Sequence, residues 1–214
     1  MEKFIQVGNQ FYPVEYPNKC PICHHHGDIA LLATFPQPKG VQVIFQCPFF
    51  ECRRYFIGYY GPIAQKQLLA IRPQEPEPTQ WPAVGEELSP KFVAIYREAE
   101  QARHTGLTQI AGPGYRKAFE FLLKDYAKSR APEKAEEVDK AFSGNVVTEY
   151  ISDPRIQAVA QRALWLGNDE THYLRKWTSH GVEDLITLIK LSINWIEIEH
   201  LSESYRQEMP STAP

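Results

Sequence analysis

Residues 20–52 read "CPICHHHGDIALLATFPQPKGVQVIFQCPFFEC" and contain all four cysteines of the chain. Both cysteine pairs begin with Cys-Pro, and they enclose two residues in the first pair and four in the second. Between the pairs, "DIALLATF" and "VQVIFQCP" are apolar, β-branched or aromatic, and "PQPKG" separates them as a turn. "RYFIGYYG" follows the second pair. The stretch therefore predicts a short antiparallel meander with cysteines at its turns.

The four cysteines have the spacing C-x2-C-x23-C-x4-C. Two such pairs predict two knuckles that offer four thiolates to one tetrahedral zinc ion, and the ligands are Cys20, Cys23, Cys47 and Cys52. Four cysteines close the coordination sphere, so we expect this zinc to be structural. The second pair has a longer gap than the commonest knuckle. A histidine from His24, His25 or His26 that replaces or supplements a ligand therefore stays an alternative.

Composition sets the broad class of the protein. The chain has 214 residues, of which 43% are hydrophobic and 23% charged, and its formal net charge is −3. A chain of this length builds one good core or a smaller core with an appended module. Nucleic-acid binders usually carry a basic excess, so any such surface must be local here. The N-terminus lacks the apolar core of a signal peptide, and no run reaches a membrane span, which predicts a cytoplasmic protein without membrane contact.

Prolines mark the end of the strand-rich part. The segment "IRPQEPEPTQWPAVGEELSP" predicts a semi-extended linker over residues 73–88, after a zinc-ribbon module over residues 1–72. Helical spacing begins after the linker, and we predict a helical bundle over residues 89–206 and a flexible tail over residues 207–214. The predicted fold class is α+β, with a small antiparallel zinc ribbon followed by an all-α bundle.

Capping residues mark the ends of the predicted helices. Ser89 and Pro90 suit the N-cap and first position of the first helix, as do Asp153 and Pro154 for a later helix that Gly167-Asn168 would end. Other helical segments are predicted over residues 112–130, 132–142, 145–151 and 181–207.

The helical part resembles a known group of proteins. "IYREAEQARHTGLTQIAGPGYRKAFEFLLKDYA" (95–127), "LGNDETH" (166–172) and the acidic "EDL" (183–185) are similar to a bacterial and phage domain of unknown function. That domain belongs to the HEPN group of helical bundles and is often joined to a cysteine-pair ribbon. The resemblance covers about residues 89–200, and it implies a HEPN-like bundle in a defence or counter-defence setting.

Membership of this group also implies a possible chemistry. Active members resemble metal-independent ribonucleases, in which an arginine and a histidine four to six residues apart meet their symmetry mates across a dimer. The histidine does acid/base work and the arginine stabilises phosphate charge. Other members have lost the pair and act as scaffolds or partner-binding bundles.

His172 is the histidine that the resemblance singles out. Nine residues lie between the nearest upstream arginine, Arg162, and His172, instead of four to six, which corresponds to about 15 Å along a continuous helix. Arg175 and His180 have the expected spacing, but a helix would place their side chains about 140° apart. The catalytic candidates are therefore His172, Arg162 and Arg175.

A helical "DETHYLRKW" segment would group different residues. His172 would share a face with Arg175 and Lys176, where they would grip a phosphate, and Asp169 would cap the helix or accept a proton from the imidazole. The plainer alternative is that Asn168 or Asp169 caps a helix and the charges are solvated.

Three further arginines are candidates for phosphate or nucleic-acid contact. Arg53 and Arg54 precede the aromatic run of the ribbon, although that run is also typical of a buried strand. Arg116 follows "GPG", whose glycines suit a phosphate-binding turn at a helix N-terminus but lack the rest of a P-loop.

The leading hypothesis is a non-catalytic module that associates with nucleic acid, RNA or DNA, or with a protein partner, and that forms a homodimer through its bundle. One alternative is a metal-independent ribonuclease centred on His172. A second alternative is a protein-interaction scaffold that uses the ribbon for docking.

Overall fold

The computed structural model describes residues 3–62 and 67–209, and the chain divides into a β unit that ends at Glu77 and a helical unit that begins at Pro78. Among the described residues, the β unit contains six strands in two antiparallel sheets, and the helical unit contains seven α-helices. The fold class is therefore α+β, as the sequence predicted.

The larger sheet has four strands in the order β3-β4-β5-β6. These strands are β3 (Ala30–Gln37), β4 (Gly40–Gln46), β5 (Tyr55–Tyr60) and β6 (Leu68–Arg72). The first three are the predicted meander, and β6 adds a fourth strand that the sequence analysis did not identify. Side chains alternate along β4, where Val41, Val43 and Phe45 face the core and the intervening side chains do not. The strand core and the cysteines thus lie next to each other in one small unit.

The smaller sheet is a hairpin that the sequence analysis missed. It consists of β1 (Lys3–Val7) and β2 (Gln10–Val14), joined at Gly8. Gly8 has a φ of 61°, which suits the two-residue turn of a hairpin. Ile5 is buried in the core of the β unit, and the Thr34 hydroxyl of β3 donates to the Gln6 carbonyl. Gly8-Asn9 between apolar alternating runs was the available signal.

The helical unit packs its helices around one apolar core. The helices are α1 (Ala83–Leu88), α2 (Pro90–His104), α3 (Thr108–Arg130), α4 (Ala135–Lys140), α5 (Ser143–Tyr150), α6 (Pro154–Asp169) and α7 (Val182–Glu208). The antiparallel pairs α2/α3 and α6/α7 form its two most extensive helix contacts. Rings of Tyr96 on α2 and Tyr115 on α3 meet edge to face at 4.8 Å, and both are fully buried.

The predicted linker is partly wrong. Residues 83–88 form α1, and a Cβ on its buried Gly85 would collide with Ile193 of α7, so α1 is closely packed in the helical unit. At the other end of the segment, the Glu75 N–H donates to the Pro21 carbonyl at 2.9 Å in the β unit. The prolines concentrate before residue 83 and so leave enough room for a short helix.

The ends of two helices also differ from those predicted. α3 begins at Thr108, so Gly112 and Gly114 lie inside a helix and not in a phosphate-binding turn. A Cβ atom on Gly114 would lie only 2.9 Å from Ala99. Glycine suits this position because α2 and α3 approach each other closely there. α6 continues through Gly167 to Asp169, because Gly167 packs against the Arg116 side chain instead of ending the helix.

Asp153 caps α6, as predicted. Its Oδ1 accepts from the N–H groups of Arg155 at 2.7 Å and Ile156 at 3.4 Å. The hydrogen bond from the Arg155 guanidinium lowers the pKa of Asp153 to about 2. Burial of the carboxylate opposes this decrease, and the two backbone N–H groups contribute to it. The carboxylate is therefore bound more tightly to its partners in the folded protein than in the unfolded chain.

Asp153→Ala is expected to lower the free energy of unfolding by about 1 kcal/mol at pH 7, because α6 loses its cap. Asp153→Asn is the matched control, since asparagine also caps but does not titrate. The folded pKa lies below the unfolded value, so the charge contribution is present above about pH 4 and is lost as the pH falls towards 2. Urea unfolding followed by circular dichroism should show the wild type losing stability relative to Asp153→Asn in that window. A constant difference would contradict this account.

α7 is the longest helix and carries the buried side chains Leu185, Ile189, Ile193 and Ile196 on one face. It ends at Glu208, inside the predicted tail of residues 207–214, and residues 210–214 lie outside those described. None of the described helices combines the length and apolarity that a membrane crossing requires.

Candidate metal centre and candidate binding clefts

The two cysteine pairs form similar turns. The N–H of Cys20 donates to the His25 carbonyl at 3.0 Å, and the N–H of Cys47 donates to the Arg54 carbonyl at 3.0 Å. In each turn, the acceptor lies two residues after the second cysteine. The residue directly after that cysteine has a positive φ in both turns, 61° at His24 and 49° at Arg53. The sequence thus builds the same knuckle twice.

The longer gap of the second pair fits into this knuckle. The Arg53 N–H donates to the Phe49 carbonyl at 3.0 Å, just as the His24 N–H donates to the Cys20 carbonyl at 3.1 Å. Phe49 therefore takes the place in the turn that Cys20 has in the first knuckle. The two additional residues lengthen the segment between Cys47 and the turn, whereas the segment after the turn keeps its length. Cys52 therefore still lies close to the other cysteines.

The four cysteine sulfurs form a compact cluster. All four Sγ atoms lie within 4.8 Å of one another, and those of Cys23 and Cys47 are 3.6 Å apart. Tetrahedral ligands about 2.3 Å from a zinc ion are separated by roughly 3.8 Å, so the cluster has the size and donor set of a four-thiolate metal site. Burial raises the pKa of the Cys47 thiol to about 12. The cysteines are thus able to bind a metal, and binding would displace thiol protons.

Two of the neighbouring histidines have other contacts, and the buried Nε2 of His24 has no hydrogen-bond partner among the described residues. The His25 ring stacks on Phe49 with centroids 3.7 Å apart, and its Nδ1 lies 3.2 Å from the Cys23 carbonyl. His26 pairs with Lys19 in a backbone bridge. Among the described residues, the potential ligand group around the cluster consists of the cysteines alone. The histidine run therefore packs around the knuckles, and no member of it joins the sulfur cluster.

Arg53 and Arg54 lie at the end of the second knuckle and have different surroundings. The Arg54 guanidinium forms an ion pair of 2.7 Å with Glu75. Arg53 is exposed, and its backbone carbonyl accepts from the Gln46 side chain at 3.2 Å. Of this predicted pair, Arg53 is the one whose charge is directed to solvent without an acidic partner among the described residues.

Residues 170–181 form an irregular connection between α6 and α7, so the helical alternative for "DETHYLRKW" is wrong. Asp169, only 6% exposed, explains the difference. Its Oδ2 accepts from the N–H groups of Lys176 at 2.8 Å and Trp177 at 2.6 Å. These hydrogen bonds hold the chain against the end of α6. The Asp169 carboxylate does not cap a new helix, and it forms no hydrogen bond with His172 among the described residues. We call residues 170–181 the α6–α7 loop.

A stacked pair of tryptophans lines two clefts beside this loop. The rings of Trp165 on α6 and Trp177 in the loop are nearly parallel, with an interplanar angle of 7° and centroids 5.8 Å apart. The first cleft, of about 390 Å³, has Arg162 and His180 among its lining residues. The second, of about 570 Å³, has His172 and Lys176. The structure therefore places the predicted residues Arg162 and His172 in different clefts.

Arg175 stabilises the α6–α7 loop. Its guanidinium donates to the Glu170 carboxylate at 2.9 Å and to the His180 carbonyl at 2.7 Å. Arg175 thus contacts the backbone carbonyl of His180, and the His180 imidazole takes no part in this contact. Within one chain, no described arginine and histidine side chains form the predicted catalytic pair.

Arg116 holds α3 against α6. Its Nε donates to the Asn168 side chain at 3.2 Å, its Nη1 lies 3.8 Å from Glu120, and its aliphatic stem covers Gly167. Burial lowers the pKa of Arg116, and Glu120 acts in the opposite direction. These contacts fix the position of Arg116 between the two helices, although its buried Nη1 has no hydrogen-bond partner among the described residues.

The functional interest of the tryptophan pair was not predicted from the sequence. No role was assigned to Trp165 or Trp177, yet they are 44% and 41% exposed. Tyr173 and Leu174, whose exposed fractions are 100% and 78%, were not predicted as binding residues either. Trp165 lies one turn after Gln161 on a polar stretch of α6, which was the only local signal that its ring would leave the core.

Comparison with family models, with curated proteins and with solved structures finds no match to the chain.

Proposed function

We propose that the protein is a non-catalytic module that binds single-stranded nucleic acid through the α6–α7 loop, with a zinc ion in its ribbon as a structural element. The observation that carries the proposal is the surface of this loop. Tyr173 and Leu174 are exposed beside His172 and Lys176, on a backbone that the buried Asp169 holds. Exposed aromatic rings next to cations suit base stacking and phosphate attraction.

Local charge supports nucleic acid over an acidic or apolar partner. The exposed cations at the two clefts are Arg162 and Lys176. The acids that line the clefts are Asp169, which accepts two backbone N–H groups, and Asp184, whose Oδ2 accepts from the Gly181 N–H at 3.0 Å. Both carboxylates are therefore occupied by backbone N–H groups, whereas Arg162 and Lys176 are exposed to a ligand, even though the whole chain has a net charge of −3.

Zinc is the metal that best fits the β unit. Four thiolates in a tetrahedral arrangement favour zinc or an iron–sulfur centre among biological metals, and a two-knuckle ribbon is typical of zinc. With four protein ligands, the ion would have no open position for water or substrate. Its role in this proposal is to hold the two knuckles together.

The similarity of the helical sequence to the HEPN group supports a HEPN-like identity for the bundle and a place in defence or counter-defence. A dimer through the bundle would belong to the same proposal. These parts rest on the sequence resemblance, whereas nucleic-acid binding rests on the α6–α7 loop.

Binding is testable by fluorescence anisotropy with labelled 20-nucleotide single-stranded RNA and DNA. We expect Lys176→Gln and Tyr173→Ala each to weaken binding about ten-fold, because one removes a phosphate contact and the other a stacking surface. The matched control is Lys140→Gln, which removes an exposed lysine on α4. Affinity should fall as salt rises, since phosphate binding releases counterions. No binding of either strand at low salt would overturn the proposal in favour of a protein scaffold.

The ribonuclease alternative makes a separate prediction. His172 is exposed and would need an arginine of a second chain, because Arg162 lines the other cleft. We expect no cleavage of mixed RNA in buffer without added divalent metal, even at high protein concentration. Cleavage that His172→Ala abolishes and His180→Ala preserves would instead establish the catalytic function.

A further inference from the structure

The first cleft beside the tryptophan pair has the chemistry of a ligand site. Its volume of about 390 Å³ lies within the ~300–1,000 Å³ range of small-molecule pockets. Trp165 and Trp177 form an apolar wall and remain about two-fifths exposed. Large exposed apolar surfaces are uncommon unless something binds them. A flat apolar ligand would cover the indole surface that the fold itself leaves in water.

Polar groups of this cleft are arranged around the apolar wall. Arg162 donates from Nη1 to the Ala158 carbonyl of its own helix at 2.6 Å, which directs the guanidinium along α6 and leaves its other N–H groups without a partner among the described residues. The Nδ1 of His180 lies 3.0 Å from the Ser179 hydroxyl, and its ring meets Trp177 edge to face at 6.3 Å. Nε2 of His180 is therefore the ring nitrogen left for a ligand.

The second cleft repeats this combination of groups. It shares Trp165 and Trp177 with the first cleft and has Lys176 and His172 as its cationic and imidazole groups. Each cleft thus offers an indole surface, a cation and a histidine. Two adjacent sites with the same chemistry match a chain of repeated flat, anionic units, and such a chain is a single-stranded nucleic acid. A phosphotyrosine peptide would supply one such unit.

We propose that the first cleft binds one nucleotide of a single strand, with its base against the indole wall and its phosphate on Arg162. His180 Nε2 hydrogen-bonds the base or the sugar, and the strand continues past the tryptophan pair into the second cleft. This inference rests on the proposed function and deepens it, because it assigns the nucleotide to a cleft and adds Arg162, Trp165, Trp177 and His180 to the binding surface.

The test uses the intrinsic fluorescence of the full-length protein. We expect adenosine 5′-monophosphate to quench tryptophan emission with saturation, adenosine to quench about ten-fold more weakly, and inorganic phosphate not to quench, because the base and the phosphate each contribute. Arg162→Gln should weaken the monophosphate about ten-fold and leave adenosine unchanged, while Trp165→Phe should weaken both. Lys140→Gln is the matched charge control. Arg162 and Trp165 are both exposed, so thermal unfolding should verify that these variants remain folded.

The outcomes separate this inference from the proposed function. If single strands bind and respond to Lys176→Gln but not to Arg162→Gln or Trp165→Phe, the cleft assignment is wrong and the proposed function stands. If the monophosphate binds as described but neither single strand does, the first cleft is a site for a free nucleotide, and both the path of the strand and the proposed function are wrong. Saturable quenching by a phosphotyrosine peptide at lower concentration than by the monophosphate would overturn the nucleotide assignment. Absence of quenching by every probe would overturn it as well.

Discussion

Cys47→Ser is expected to remove the bound metal and unfold the β unit while the helical unit stays folded. Cys47 is fully buried and belongs to the sulfur cluster, and a serine hydroxyl does not replace a thiolate ligand. Structural zinc sites contribute about 10–16 kcal/mol of apparent binding free energy, which exceeds the few kcal/mol that the core of so small a unit supplies. The β unit should therefore lose all of its folded structure and not only part of it.

Metal content by mass spectrometry and thermal unfolding would measure this effect. The wild type should contain one zinc ion per chain, and a strong chelator should reproduce the unfolding seen in Cys47→Ser. Phe50→Ala is the control, because Phe50 lies in the same knuckle with 89% of its surface exposed. The Phe50→Ala variant should keep both the bound zinc and the thermal unfolding transition of the β unit. If Cys47→Ser retains the wild-type unfolding temperature of the β unit, the sulfur cluster is not a metal site.

Asp169→Ala is expected to disorder the α6–α7 loop and abolish nucleic-acid binding. The buried carboxylate accepts the N–H groups of Lys176 and Trp177, and removing it leaves both without an acceptor. A hydrogen bond to a charged group contributes about 1.5–3 kcal/mol, so the loss of both bonds strongly favours opening of the loop. The stacked tryptophans and Lys176 would then lose their common placement, and binding should fall at least as far as in any single contact variant.

Amide hydrogen exchange would report this change directly. The Lys176 and Trp177 amides should be protected in the wild type and exchange freely in Asp169→Ala. Asp169→Asn is the matched control, because its amide oxygen still accepts hydrogen bonds but carries no charge, and its protection should be intermediate. Unchanged protection in Asp169→Ala would show that other contacts hold the loop.

Features that depend on neighbouring residues were predictable from the sequence. The Cys-Pro pairs and the alternating run of β4 predicted the meander and the cysteine cluster, because strand alternation and knuckle turns are local. Asp153 before Pro154 likewise predicted the start of α6, because the cap contacts N–H groups only two and three residues away.

Two glycines were misinterpreted because each is explained by a contact with a distant part of the chain. Gly167 was predicted to end α6, yet it lies inside the helix because Arg116 of α3 fills the space over it. Gly114 looked like part of an anion-binding turn, whereas it allows α3 to approach Ala99 of α2. Sequence spacing does not reveal a partner that lies on another helix.

The sequence by itself determined the two-part organisation, the four sulfur donors and most of the helices, because composition, short-range caps and residue periodicity act over a few positions. Tertiary structure alone decided the geometry of the α6–α7 loop. Asp169 becomes buried when α6 packs, and it then binds backbone N–H groups seven and eight residues later. That long-range bond places Trp177 on Trp165 and separates His172 from Arg162, which no helical spacing would have predicted.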